Sequence, residues 1–212
     1  MTTTRERREI AGFDAVKLEG SGVLIITQGE VDGLEIETDA RLLSKIKSEV
    51  VEGRLTVGFR SWLDYLFEMA HPPITYHITM REVHGVTISG SGKLKAGSLN
   101  TDRLSLRISG AGEMQLENIQ AGLLEVKISG SGKVNTRGSA ADYEVRISGS
   151  GEVHTAEVDS QTVRVRISGS GNVQLNVSQT LDVHISGSGD VRYTGDPKVT
   201  QSISGSGSIR RV

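Results

Sequence analysis

Five histidines, twenty-six acidic residues and a recurring pair of serines set among glycines are the groups here whose chemistry could do work. His71, His77, His84, His154 and His184 lack metal-ligand spacing such as H-x-x-x-H. Cysteine is absent, which excludes disulfides, thiolate metal sites and cysteine nucleophiles. A serine nucleophile on a strand-to-helix elbow needs G-x-S-x-G; in Ile-Ser-Gly-Ser-Gly the position two before the second Ser is itself Ser. Gly90-Ser91-Gly92-Lys93 is too short for a phosphate loop and has no Ser or Thr in the required place after the Lys. The nonapeptide Ca²⁺ repeat needs Asp in every unit, and only Asp190 falls near such a place. Asn176-Val177-Ser178 is a single formal glycosylation sequon. Acids alternate with bases along the chain instead of converging, so neither an acid–base pair nor a Ca²⁺ cluster is expected. No catalytic, cofactor-binding or metal-ligating residue is assigned, and no cofactor is expected.

The same motif shows what must position these groups. Ile-Ser-Gly-Ser-Gly recurs at Ile88, Ile108 (with Ala111 for the second Ser), Ile128, Ile147, Ile167, Ile185 and Ile203, at spacings of 20, 20, 19, 20, 18 and 18. A shorter relative, Gly20-Ser21-Gly22, follows Val16 and Leu18. Apolar residues alternate on both sides of the glycines, as in Leu104, Leu106, Ile108 before them and Val173, Leu175, Val177 after them. Period-2 alternation is the strand signature, and helix-period patterning is missing across the repeat. The pattern predicts an all-β chain: a single-stranded parallel β-helix, or β-solenoid, of about 20 residues per rung with irregular N-terminal rungs. Parallel rungs stack at about 4.8 Å, so six intervals span about 29 Å. The glycine pairs read as corners, where positive φ or close approach is needed: Gly90 and Gly92, Gly110 and Gly112, Gly130 and Gly132, Gly149 and Gly151, Gly169 and Gly171, Gly187 and Gly189, Gly205 and Gly207. The Ile residues should form an inward ladder. Ser129, Ser148 and Ser168 should stack likewise, with hydroxyls able to bond along the stack.

Two outward columns follow from that register. After each second Gly stand Lys93, Glu113, Lys133, Glu152, Asn172, Asp190 and Ser208, alternating in sign through the first four rungs, so that stacked neighbours attract. Before each Ile stand Arg107, Lys127, Arg146, Arg166 and His184, of one sign, with Glu125, Glu144 and Asp182 two residues earlier on the same face. One reading is a self-compensated solvated face. The other is a contact strip for an anionic polymer or another partner, centred on Lys127, Arg146, Arg166 and His184.

Residues 1–12 read as an N-terminal tail, 13–85 as an irregular β-rich part of the solenoid, and 86–212 as the regular repeats. Strands are expected at Phe13–Leu18, Gly22–Gln28, Gly33–Thr38, Arg54–Phe59 and Ile74–Met80, with a short helix or turn in Ala40–Lys47. Residues 61–70 depart from the pattern. Leu63, Leu66, Phe67 and Ala70 are at helical spacing, and Ser61 is placed to cap a short helix. Trp62, Tyr65 and Phe67 there suit either a cover for the stack or a homo-oligomer contact.

Aromatics are 4% of the chain, which suits a narrow aliphatic solenoid better than a compact globule. The net charge of −2 does not suggest a nucleic-acid binder. No run approaches the length of a membrane span, so no transmembrane segment is expected. No apolar stretch follows the charged N-terminus, so it does not read as a signal peptide; a native N-terminus would imply the cytoplasm, a trimmed one export.

The repeated Ile-Ser-Gly-Ser-Gly units followed by Lys, Glu or Asp and then Val, with Phe13-Asp14-Ala15-Val16 near the start, resemble a bacterial family of unknown function. So does the closing stretch from Gly189-Asp190-Val191 through Asp196-Pro197 to Ile203–Ile209. The family is described as the head GIN domain of putative auto-transporter adhesins. The resemblance implies a right-handed β-helix-like fold, usually exported or at the cell surface, and brings no catalytic residues. Three functions are weighed. The first is a non-enzymatic binding or scaffold module presenting a rigid β-face to a protein or glycan. The second is a self-assembling structural protein, and the third a carbohydrate-active β-helix enzyme.

Overall fold

The structure, a computed structural model, describes residues 3–61 and 74–212. The described residues form sixteen strands in one continuous sheet, and a 3-10 turn at Leu43–Lys45. The expected helix with Trp62, Tyr65 and Phe67 lies outside the described residues.

The regular part is built from five long strands, each of which makes nearly a whole rung. These are β9 (Lys93–Gly110), β10 (Glu113–Gly130), β11 (Lys133–Gly149), β12 (Glu152–Gly169) and β13 (Asn172–Gly187). Each pairs in parallel with the next along most of its length. The last rungs are split: β14 (Asp190–Thr194) continues the first half of β13, β15 (Lys198–Gly205) the second half, and β16 (Ser208–Arg211) pairs with β14. This is the β-solenoid of about 20 residues per rung that the spacing predicts.

The rungs are not all the same length, and the structure confines the difference to one place. Ile128 pairs with Ile147 and Ile167 with Ile185, although these spacings are 19 and 18. The missing residues are absorbed by register shifts mid-rung, between Gln115 and Ile119 in β10 and between Thr155 and Thr162 in β12. The corner columns therefore stay in step. A slip there would turn the whole inward set toward solvent, whereas a mid-rung bulge is local.

Inward positions carry aliphatic ladders. Leu106, Val126, Val145, Val165 and Val183 pair in register with no exposed surface. Leu94, Met114, Val134, Val153 and Val173 face them from the other wall, all at most 1% exposed. Burying each such side chain contributes about 1.5–3 kcal/mol. β11 admits an aromatic: Tyr143 is buried, and its hydroxyl lies 3.1 Å from Thr155 Oγ1, which donates to the Gln174 carbonyl at 2.9 Å. Burial pushes the Tyr143 phenol well above its ordinary pKa.

The N-terminal segment mixes rungs with antiparallel strands. β2 (Ala15–Gly20) and β3 (Val23–Gln28) make a rung with Gly20-Ser21-Gly22 at its corner, stacked on β8 (Gly85–Gly90) and the start of β9. β6 (Arg54–Phe59) and β7 (Thr75–Met80) make the next rung outward. Stacking order thus departs from chain order: the chain leaves the β2–β3 rung, returns beyond it as β6 and β7, and crosses to its other side as β8. Beyond that rung all pairing is antiparallel. β5 (Ile46–Val51) pairs with β6, β4 (Gly33–Asp39) with β7, and β1 (Thr3–Arg8) with β4.

β1 occupies most of the segment read as a tail. It carries no apolar alternation because it is an edge strand bound through charge. Arg5 pairs with Glu35 at 3.0 Å and Glu37 at 2.8 Å. Arg8 donates to the carbonyls of Leu43 and Ile46 and to Ser48 Oγ. β5 is also unannounced by the pattern, since Lys47, Ser48 and Glu49 break its apolar alternation.

Candidate functional site: a groove along the rungs

Each corner is fixed by two glycines with different duties. At Gly149 φ is +119°, and a Cβ would stand 2.5 Å from the Gly130 carbonyl oxygen one rung away. That oxygen already accepts from the Ser150 amide at 2.9 Å, so the ladder runs through the corner and the backbone has no room to retreat. At Gly151 the backbone is ordinary, but a Cβ would meet Ile128 Cγ2 at 2.7 Å. The second glycine is thus the space into which the ladder isoleucine of the neighbouring rung packs.

Because the corners repeat in register, so do the outward side chains beside them. Arg107, Lys127, Arg146, Arg166 and His184 form one in-register column, continued at its ends by Thr87 and Ser202. Two residues on, Ser109, Ser129, Ser148, Ser168, Ser186 and Ser204 form another. Between them runs a groove of about 730 Å³, open to solvent, with the Ile108-to-Ile185 ladder in its floor. Four Arg or Lys side chains and one His line it, and no carboxylate does.

The carboxylates stand behind the cations. Glu144 holds Arg146 at 2.6 Å and reaches Arg166 at 3.5 Å. Glu125 lies 3.8 Å from Lys127 and 3.0 Å from Arg103. Asp182 Oδ1 sits 3.2 Å from His184 Nε2, near enough for an ion pair but without hydrogen-bond alignment. Arg107 donates to Ser105 Oγ at 3.1 Å, and its charge also acts on Glu125. A hydrogen bond from the Arg103 guanidinium, opposed by partial burial, holds the Glu125 carboxyl below its ordinary pKa. The cations are thereby oriented from one side and left roughly half exposed on the groove side, with Arg146 at 47% and Arg166 at 53% of full side-chain exposure.

The candidate strip Lys127, Arg146, Arg166 and His184 is therefore one wall of a groove. Sequence reasoning missed the opposite wall. Ser129, Ser148 and Ser168 do stack in register, but they are exposed and make no hydrogen bonds along the stack; their hydroxyls are open to solvent. Their side of the strand is readable from the alternation. What the alternation does not carry is that the two columns line one groove.

The other column pairs along the stack. Lys93 meets Glu113 at 3.1 Å, Lys133 meets Glu152 at 3.3 Å, and Ser208 donates to Asp190 at 2.5 Å. Glu152 is held by His154 as well, at 3.2 Å. Among the described residues no three acidic or histidine side chains converge on a metal position, and no helix is long and apolar enough to cross a membrane.

The same architecture recurs in known proteins. The model of a family described as putative auto-transporter adhesin, head GIN domain, matches residues 12–197. A solved structure of a putative adhesin from Bacteroides fragilis is 20% identical, with a TM-score of 0.88 over 100% of this chain and 97% of that one. A putative adhesin from Parabacteroides distasonis is 20% identical, with a TM-score of 0.78 over 100% and 97%. A structure from the same organism described as a putative lipid binding protein is 22% identical, with a TM-score of 0.77 over 99% and 96%. At these identities the likeness is one of fold. None of these descriptions names an enzyme. No curated protein matches the chain.

Proposed function

Because the chain belongs to the family described as putative auto-transporter adhesin, head GIN domain, we propose that it is a non-enzymatic binding module whose rigid groove face engages a macromolecular partner, a protein or a glycan. The observation that carries this reading is the groove itself: a continuous cationic wall facing a continuous hydroxyl wall, with every carboxylate on the far side of the cations. A rigid parallel ladder fixes the backbone that carries these groups before any partner arrives, so little backbone freedom is lost on binding. The groups in the groove are suited to holding a ligand, not to transforming one. Arg and Lys supply hydrogen-bond donors, and the one His lining the groove has Asp182 beside it but no acid among the other lining residues.

The test is an array of glycans and proteins probed with wild type beside an Arg146→Ser/Arg166→Ser variant. Both side chains are about half exposed and pair with Glu144, so the variant should keep its circular dichroism while melting somewhat lower, and folding is verified before binding is compared. Ligands bound by wild type and lost by the variant support the reading. Ligands retained by the folded variant would place binding on another surface.

A further inference from the structure

We propose that the groove's ligand is a linear anionic polysaccharide of the uronate type, lying along the stack with its carboxylates against the cationic wall and its ring hydroxyls against the serine wall. This inference rests on the groove being the binding surface and adds the chemistry of its occupant.

Three observations select that class. The first is charge: the groove offers Arg107, Lys127, Arg146 and Arg166 on one side, with no acid among its lining residues, although the chain as a whole is acidic. The second is repetition. The cations are in strict register, so they recur at the strand spacing of about 4.8 Å. A 1→4-linked pyranose ring advances its chain by nearly one such step, so carboxylates borne on every ring, or on every second ring of a twisting chain, fall at one- or two-rung intervals. An extended acidic peptide does not keep that register, because side chains on one of its faces recur at about 6.8 Å. A single lipid carboxylate or phosphate would use one rung and leave the rest of the column without purpose. The third is the opposite wall. Six exposed serines without hydrogen bonds along the stack present donors and acceptors to a ligand rich in hydroxyls, and they carry no charge to repel it. Bidentate geometry also favours Arg wherever carboxylate is recognised.

The experiment is titration calorimetry of the full chain with oligogalacturonides of increasing length, at low and at moderate salt. Affinity should rise with each added sugar until the rungs are filled and then level off. It should fall as salt rises, because several ion pairs form together. Arg146→Ser/Arg166→Ser should weaken binding by about two- to thirtyfold, each exposed charge pair contributing in the usual range. Ser148→Phe, which fills the groove without touching a charge, should also weaken it. Lys93→Ser/Lys133→Ser removes two cations from the other column and should leave binding unchanged. Neutral cello-oligosaccharides, poly-glutamate and vesicles of anionic phospholipid serve as the competing classes. Equal binding of any of these, affinity independent of oligomer length, or an equal loss in the Lys93/Lys133 variant would overturn the proposal. If the array instead yields a protein or neutral glycan lost by the Arg146/Arg166 variant, the groove is the binding surface and the anionic glycan is wrong. If nothing depends on the groove, both fall.

Discussion

At the scale of single residues, two glycines that look alike in the motif fail for different reasons when replaced. Gly149→Ala places a Cβ on backbone: φ is +119° and the obstacle is the Gly130 carbonyl, itself bonded to Ser150. Nothing nearby yields, so a loss on the order of 3 kcal/mol is expected. Gly151→Ala places its Cβ on a side chain, Ile128. Removing that side chain should relieve the clash. In a double-mutant cycle followed by urea unfolding, Ile128→Ala should couple to Gly151→Ala by about 1 kcal/mol or more, and not couple to Gly149→Ala. Equal coupling in both cycles would mean that the two glycines do the same work.

At the scale of strands, the outward columns are held together by pairing between rungs. Lys93 and Lys133 flank Glu113 in register, one of them 3.1 Å from its carboxylate. Glu113→Lys would put three like charges in a row and should cost about 0.5–1 kcal/mol, since the pairs are exposed. That cost should shrink in high salt. A cost indifferent to salt would point to lost packing instead. The Glu125 carboxyl behaves differently because it is nearly buried and held by Arg103. Its folded-state pKa lies below the ordinary value of 4.5, so its contribution is fully present above that value and is lost as pH falls through the lower folded value. Glu125→Gln should therefore be less stable than wild type near neutral pH, and the gap should close on acidification. Urea midpoints across that range measure it, and a gap that stays constant would show that Arg103 does not depress this group.

At the scale of the whole molecule, the two ends of the stack are built differently. Beyond β6 and β7 the direction of pairing reverses, so that end cannot accept another parallel rung in the same register. Arg8 ties the reversal together: its guanidinium reaches the carbonyls of Leu43 and Ile46 and the hydroxyl of Ser48, while its Nε holds Glu6 at 2.8 Å. Arg8→Ala removes these bonds, leaving the Leu43 carbonyl only the Ile46 amide, and should cost about 1–3 kcal/mol. Hydrogen exchange should locate the damage. Amides in β1, β4 and β5 should exchange faster, and those in β10 to β12 should stay protected. Uniform loss of protection would mean that cap and stack unfold as one unit.

Much of the stack is legible in the order of residues alone. The rung length, the parallel class and the inward Ile, Leu and Val set follow from spacing and alternation, because a parallel stack repeats the same local requirement at every rung and each copy restates it. The alternating signs of Lys93, Glu113, Lys133 and Glu152 are readable for the same reason. What the tertiary structure alone decides is whatever does not repeat. The stacking of β6 and β7 outside β2 and β3, and the charged edge strand β1, depend on contacts between distant segments that carry no period. The groove that the Arg and Ser columns line together is likewise decided in three dimensions, because alternation specifies which side a residue takes but not the depth of the surface there. The sequence of this protein thus determines its strand register by repetition, while the shape of its groove and the closure of its end are settled by how the rungs pack in three dimensions.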